Sequence, residues 1–338
     1  EIKPIFYNEC DKIHSQALQS ILKRLDNSYS NFFRRVKSGD TPGFPRFKNK
    51  NSFNSLLYPQ CDFNSGGDKI VREKKIKLKK SDKTEYLPIV GKNQKIIIHG
   101  VTGTIRLKYH RPYSGNCKTI SLIRQNDHYY ISLSCENIEV KTQLKTGKII
   151  SLDLGIDSFA VSNTGNKYKS PRPYKTAKEY LAYKNAKLAK KQKNSNNYLK
   201  LRRDIRKQNQ KIVNIRHDFL HKLSNKIVKK NDAIIIEDLN ISNMLKSTNN
   251  KVDKSNITDV SWGTFIEYIS YKAERAGIEF IKVNPKNTSK RCCKCRNIDM
   301  AQTLADRRYD CKSCGFAIDR DHNAAINIYR LGISRLIS

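Results

Sequence analysis

Residues 148–153 read Lys-Ile-Ile-Ser-Leu-Asp, a short apolar run that ends on a carboxylate. A run of that length, bounded by polar residues, predicts a buried strand. Residues 157–162 and the segment around Tyr168 predict two more strands, joined by a hairpin turn at Asn163-Thr164-Gly165-Asn166. Beyond them, residues 175–230 have a helical pattern that breaks at Lys193-Asn194-Ser195-Asn196-Asn197. Ile212, Ile215, Phe219, Leu223 and Ile227 form the apolar stripe of the second helix. Residues 232–236 (Asp-Ala-Ile-Ile-Ile) predict a second central strand, followed directly by Glu237. A helix at 262–276 stops at Gly277, residues 278–283 are extended, and 321–332 is a last helix. Strands and helices in that alternation predict an α/β layer fold.

The N-terminal part has a different character. Residues 12–36 predict an amphipathic helix, with Ala17, Leu18, Ile21, Leu22, Leu25 and Tyr29 on one face. Gly39-Asp40-Thr41-Pro42-Gly43-Phe44-Pro45 cannot be helical. The next residues, Arg46, Phe47 and Lys48, interleave charge with an aromatic ring. That composition fits nucleic-acid stacking and phosphate contact, and it fits a proline-ordered surface turn equally well. From about 56 to 140 the period becomes two. Short β-rich runs at 96–98, 105–109, 120–122 and 129–133 predict a small β-domain, with a barrel as one way to close it.

Charge narrows the range of partners. Sixty-six Lys and Arg against 31 Asp and Glu leave a net +35 on 338 residues. A compact fold carrying that charge repels itself until a polyanion neutralises it, and nucleic acid does so by releasing condensed counterions. No apolar stretch is long enough to span a bilayer, and no signal-peptide pattern is present, so a membrane partner is not expected. Residues 175–230 alone hold 18 basic residues against 3 acidic ones. On a helical hairpin, that density predicts a surface that tracks a phosphate backbone.

Five of the nine cysteines crowd between Cys292 and Cys314. Cys292-x-x-Cys295, fifteen intervening residues and Cys311-x-x-Cys314 match the spacing of a zinc ribbon, in which two turns present four thiolates tetrahedrally. Gly315 supplies the backbone freedom the second turn needs. Four thiolates leave no open position, so the expected Zn²⁺ is structural. Cys293 is off register, and Cys10, Cys61, Cys117 and Cys135 read as buried or idle thiols. Three carboxylates stand at element ends: Asp153, Glu237 and Asp321. Singly, each reads as a strand-end or helix-cap residue. Brought together at the carboxyl ends of sheet strands, they would need divalent cations, and two Mg²⁺ ions so held can drive phosphodiester hydrolysis.

The strings around these acids carry a resemblance. Ser151-Leu-Asp153-Leu-Gly-Ile-Asp-Ser-Phe-Ala160 resembles the first RuvC-type motif of TnpB proteins, the transposon-encoded RNA-guided nucleases related to miniature type V CRISPR effectors. Ile235-Ile-Glu237-Asp-Leu-Asn240 resembles their second motif. Asp319-Arg-Asp321-His-Asn-Ala-Ala-Ile-Asn327, directly behind the cysteine ribbon, resembles the third. His217-Asp-Phe-Leu-His-Lys-Leu-Ser224, Ser261-Trp262-Gly263, Thr288-Ser289, Asn31-Phe-Phe-Arg-Arg-Val-Lys and Pro42-Gly-Phe-Pro-Arg-Phe-Lys48 are also similar to family strings.

The resemblance implies an α/β and α+β multidomain protein. It comprises a helical recognition segment (1–40), a β-barrel-like wedge domain (41–147) and a RuvC, RNase H-like nuclease domain in two parts (148–284 and 319–338) around a zinc ribbon (285–318). It implies Asp153, Glu237 and Asp321 as ligands of catalytic Mg²⁺, a guide RNA and target double-stranded DNA as partners, and a cytoplasmic, nucleoid-associated location. Arg46, Phe47 and Lys48 become candidates for contact with the duplex or its adjacent motif. Asp321 is preferred to Asp319 because the family motif centres on Asp-x-Asn, leaving Asp319 to cap the helix or support the site. Family members usually carry a strand-and-helix segment ahead of the first helix. The chain starts at Glu1 rather than Met, so a preceding segment is expected. A nuclease-inactive guided DNA-binding regulator, an unguided transposase and a plain RNA-binding protein are the rival readings. The three intact acids argue against the first and the last, and the ribbon just before the third acid argues against the transposase.

Overall fold

The computed structural model describes residues 14–49, 52–59, 69–71, 93–98, 102–110, 115–126, 128–138, 142–248, 250–300 and 306–337. The chain forms two compact units, Glu1–Glu139 and Val140–Ser338. Cys10 and Cys61 lie outside the described residues.

The first unit opens with helix α1 (Ser15–Lys37). Strands β1 (Ser55–Tyr58), β5 (Asn116–Gln125) and β6 (His128–Glu136) form one antiparallel sheet in the order β1-β5-β6. Strands β2 (Lys69–Val71), β3 (Asn93–Ile97) and β4 (Ile105–Lys108) form a second. Ile96 and Ile98 from one sheet, Tyr58 and Ile120 from the other and Ala17 from α1 meet in a single core, and Cys117 is packed there as a buried thiol. Arg24 donates to the Ser55 carbonyl at 2.9 Å and ties α1 to β1. The predicted apolar stripe of α1 is only partly used. Ala17 is buried, but Leu22 is 66 % exposed and Leu25 40 %. The barrel closure expected from the sequence involves 60–68 and 72–92, which lie outside the described residues.

The second unit is built on a five-stranded sheet in the order β11-β10-β7-β8-β9. Its strands are β7 (Ile149–Asp153), β8 (Ala160–Ser162), β9 (Lys167–Tyr168), β10 (Ala233–Glu237) and β11 (Glu279–Val283). β7, β10 and β11 run parallel, and β8 and β9 continue antiparallel through the expected hairpin. The two central strands, β7 and β10, are mostly apolar up to their terminal acids because both faces are covered. Ile150, Leu152, Ile234 and Ile236 pack on helices α3 (Asn196–Val228) and α6 (Trp262–Ala276) through Leu220, Leu223, Ile227, Phe265 and Ile269. On the other face Ile235 and Val283 pack on Ile328 of helix α7 (Arg320–Ile337).

Helix α2 (Pro173–Ala189) packs antiparallel to α3 around Ala177, Leu181, Ile205 and Ile212. Ser195 caps α3 by accepting from the Tyr198 amide, at the break expected from the sequence. Gly277 ends α6 with φ +65°, a left-handed cap that glycine adopts without strain. Two short helices, α4 (Ile241–Ser247) and α5 (Lys251–Val260), were not expected. Buried Asp259 on α5 explains their place. It accepts from the Tyr174 and Lys175 amides at 3.2 and 3.1 Å, capping α2 from outside, and from Arg216 of α3 at 2.9 Å. No described helix is long and apolar enough to cross a membrane.

Candidate active site and cysteine centre

The parallel register of β7 and β10 pairs Leu152 with Ile236. Asp153 and Glu237 therefore follow side by side at the carboxyl ends of neighbouring strands, about 4.8 Å apart as strands are spaced. Both fall on the sheet face covered by α7, because Ser151 on that face donates to the Ala325 carbonyl at 2.6 Å. Asp321 sits in the first turn of α7. The three acids come together closely enough for Glu237 and Asp321 to act on Asp153. Burial, then the charges of Glu237 and Asp321, pushes the Asp153 carboxyl well above its ordinary range. Burial also raises Glu237, against a lowering hydrogen bond from Thr288. This is a concentration of negative charge with too little positive charge around it. Oxygen donors in such a setting suit hard divalent cations. Among the described residues the acids do not form a group with ligand atoms all within 4.8 Å, as the cysteines do.

The surroundings of each acid are specific. The buried Thr288 hydroxyl donates to Glu237 Oε1. Thr288 is itself held by Asn327 of α7, whose Nδ2 donates to the Thr288 carbonyl at 2.9 Å. Asp319 caps α7 by accepting from the His322 amide at 3.1 Å, and its other oxygen pairs with Lys167 of β9 at 2.5 Å. The His322 ring donates to the Asn163 carbonyl at 3.0 Å and lies over Gly165. Thus Asp319 is engaged in fixing the helix start, while the Asp321 carboxylate pairs with the neighbouring Arg320 guanidinium at 3.3 Å.

The four ribbon cysteines converge. Their sulfurs all lie within 4.8 Å of one another, with Cys292 and Cys314 3.8 Å apart and Cys295 and Cys311 3.5 Å apart. Four thiolates about 2.3 Å from a tetrahedral zinc would stand about 3.8 Å apart, so the donor set fits that ion. Backbone amides aimed at Cys311, led by that of Cys314, bring its thiol down to about 7. The two turns are built alike: Arg296 and Gly315, each directly after its Cys pair, have φ of +70° and +67°. Cys293 points elsewhere, and burial raises its thiol.

Sequence reasoning missed what joins the ribbon to α7. Asn323 accepts from the Cys293 amide at 2.8 Å and donates to the Arg291 carbonyl at 2.7 Å. Asn327 donates to the same carbonyl at 2.6 Å. Both asparagines are buried. The Asn of the Asp-x-Asn string thus anchors the first cysteine turn to the helix that carries Asp321. The string at 217–224 likewise has a packing role. Lys272 of α6 donates to Ser224 at 2.6 Å and to the His221 carbonyl at 3.1 Å, and the His221 ring stacks on Tyr268 at 4.0 Å. Arg46, Phe47 and Lys48 lie in the first unit, in irregular exposed chain, with Phe47 93 % exposed. The structure does not bring them together with the carboxylates in one unit.

Two family models match the second unit and its approach. The OrfB_IS605 model, described as "Probable transposase", matches residues 132–248, and the "Cas12f1-like, TNB domain" model matches 262–328. The first span contains Asp153 and Glu237, and the second the four cysteines and Asp321. The chain is 29 % identical to "Putative RNA-guided DNA endonuclease InsQ" of Escherichia coli (strain K12), over 94 % of this chain and 74 % of that protein. The chain is similar to the TnpB/OrfB proteins along most of its length. "Putative RNA-guided DNA endonuclease" of Streptomyces pristinaespiralis is 26 % identical, covering 96 % of this chain and 73 % of its own. CRISPR-associated endodeoxyribonuclease Cas12f1 of Sulfoacidibacillus thermotolerans is 27 % identical over 63 % of this chain and 53 % of its own. The fold of this chain is similar to that of Cas12f1 in a complex with single guide RNA and target DNA. The TM-score is 0.56, with 19 % identity, 92 % of this chain and 70 % of that one covered.

Proposed function

We propose that this chain is an RNA-guided DNA endonuclease encoded by a transposon, cutting target DNA beside a short motif with Asp153, Glu237 and Asp321. The observation that supports the site assignment is the meeting of three acids from β7, β10 and α7, where burial and then the charges of Glu237 and Asp321 raise the Asp153 carboxyl. The sheet order, with two parallel strands added beside a three-stranded antiparallel meander, supports an RNase H-like, RuvC-type domain split by the ribbon. Relatives named as RNA-guided DNA endonucleases support the activity.

The three carboxylates would hold the divalent cations, two Mg²⁺ in this reading. When bound, such ions supply Lewis-acid activation of the attacking water and neutralise charge on the departing oxygen. The chain's own residues set the geometry. Thr288 fixes the rotamer of Glu237, Asp319 and His322 fix the first turn of α7, and Ser151 fixes β7 against that helix. Zn²⁺ would close the ribbon through Cys292, Cys295, Cys311 and Cys314 without a chemical role. In this reading 1–40 is a recognition segment and 41–147 a barrel-like wedge, with Arg46, Phe47 and Lys48 against the duplex. Sequence choice is left to base pairing with the guide, and the charge of +35 is what holding both RNA and heteroduplex requires.

Alanine at Asp153 or Glu237 separates this reading from its rivals. Cleavage disappears while RNA and DNA binding persist. Cleavage that survives in both single variants overturns the site assignment, and cleavage that needs no RNA favours an unguided transposase.

A further inference from the structure

A second feature of the nuclease unit plays no part in the site described above. Alongside the β8–β9 hairpin, where β7 begins and α3 ends, lies a cavity of about 730 Å³. Lys148, Lys226, Lys230 and Lys167 line it, with Tyr168 and Asn231. Its size is within the range of cavities that enclose ligands. Four lysines line one concavity. Of these, only Lys167 is paired with an acid among the described residues, namely Asp319. The nearest acid in sequence, Asp232, is committed to backbone: it accepts from the Thr146 and Gly147 amides at 2.8 and 2.6 Å and from the Thr146 hydroxyl. Lys226 lies over the Tyr168 ring at 5.8 Å, so one wall offers an aromatic surface as well as charge.

From this geometry we infer that the cavity is a binding site for the phosphodiester backbone of a nucleic-acid strand, separate from the scissile position. The inference deepens the guided-nuclease reading and rests on it for the identity of the strand. Positive charge in which Lys148, Lys226 and Lys230 have no acid partner among the described residues, set on the ends of rigid elements beside an aromatic ring, suits successive phosphates and a stacked base. Its position is informative. The register Asp153↔Val161↔Lys167 places Lys167 level with Asp153, two strands across the sheet, or about 10 Å at normal strand spacing. Lys148 and Thr164 lie at the opposite end of those strands. A strand bound here runs along the β9 edge of the sheet towards the level of the carboxylates. Guide RNA and target DNA share this chemistry, and binding experiments tell them apart.

The test is the paired variant Lys148→Gln/Lys230→Gln in the full chain, with Lys222→Gln/Lys282→Gln as control. The control lysines lie outside the cavity and pair with Asp218 and Asp238. Affinity is titrated against salt for two probes. One is RNA transcribed from the DNA flanking the reading frame, bound by the chain alone. The other is a duplex matching its guide segment, bound by the assembled complex or, if none assembles, by the chain. Each lost phosphate contact lowers the slope of log K against log salt by about 0.7–0.9, so the cavity variant loses roughly 1.4–1.8 with one probe. A loss with the RNA probe assigns the cavity to the RNA. A loss confined to the duplex assigns it to target DNA. Slopes equal to wild type with both probes, in a variant that melts and holds zinc as wild type does, overturn the proposal, and an acidic protein would then be the better occupant. Lys230→Glu, on exposed chain just past α3, repeats the test singly should the pair fold poorly. Whether wild type cuts only with RNA is scored separately, so a failure of the guided reading is distinguishable from a failure of the cavity.

Discussion

Replacing Asn323 with alanine should loosen the hold on zinc without unfolding the nuclease unit. Asn323 makes two buried bonds to the first cysteine turn, from the Cys293 amide at 2.8 Å and to the Arg291 carbonyl at 2.7 Å. The carbonyl keeps a partner in the variant because Asn327 also donates to it at 2.6 Å. The loss therefore falls on the Cys293 N–H, a buried donor set between the proposed zinc ligands Cys292 and Cys295. An orphaned buried donor costs about 1–3 kcal/mol. That bond exists only when the turn is closed and docked on α7, so its free energy is linked to zinc binding. Coupling of that size corresponds to about 5- to 150-fold in zinc affinity, the range seen for groups that orient metal ligands. Competition with a chromophoric chelator measures it, with a far-UV melt to show an intact fold. Asn323→Asp keeps the acceptor and should lose less. Because Asp321 lies two residues away on the same first turn, cleavage should fall in step with zinc occupancy. Zinc affinity unchanged in Asn323→Ala would refute the coupling between ribbon and helix.

Three further predictions concern stability. Asp259→Ala strands the Arg216 guanidinium, whose side chain is 19 % exposed against 2 % for Asp259, and uncaps α2. Breaking a buried pair costs about 3–5 kcal/mol, roughly a 10 °C fall in melting temperature for a unit of this size. Adding Arg216→Met should restore most of that. Gly332→Ala places a Cβ within 2.4 Å of the fully buried Ile235 side chain. Overpacking outweighs the helix propensity alanine gains and costs a net ~1–2 kcal/mol, read by denaturant titration; a stabilised variant would refute the packing. Asp153→Asn should melt above wild type at neutral pH without added divalent cations. The raised Asp153 carboxyl stabilises the fold only while protonated. Its contribution is in place below the ordinary carboxylate range and is lost as pH rises through the raised value. The gap between variant and wild type should therefore close as pH falls, and a pH-independent gap would contradict the electrostatic origin.

What the sequence made legible follows from what is local. The runs at 149–153 and 233–237 read as central strands because burial on both faces leaves them mostly apolar up to their terminal acids, with Ser151 the one polar residue inside them. The ribbon was legible because four ligands at fixed spacing constrain a tetrahedral site by themselves. The acids were harder. Asp153, Glu237 and Asp321 each look like an ordinary strand end or helix start, and only the order of motif strings linked them. Contacts made across the fold left no local trace. Thr288 meets Glu237, 51 residues away, and Arg216 meets Asp259, 43 residues away, and no periodicity encodes either pairing. The α1 stripe misled in the other direction: Leu22 and Leu25 share a face with buried Ala17 yet stay exposed. Helices α4 and α5 escaped notice because their sequences carry few apolar residues in register, and their order comes from caps at Asn240 and Asn250 and from Asp259.

The most direct test of the central claim is a cleavage assay on a duplex matched to the RNA that co-purifies with the chain, comparing wild type with Asp153→Ala. Wild type should cut the matched duplex only when both RNA and Mg²⁺ are present. Asp153→Ala should bind RNA and duplex as tightly as wild type and leave the DNA intact. Cutting by Asp153→Ala at the wild-type rate, or cutting by wild type without RNA, would contradict the account.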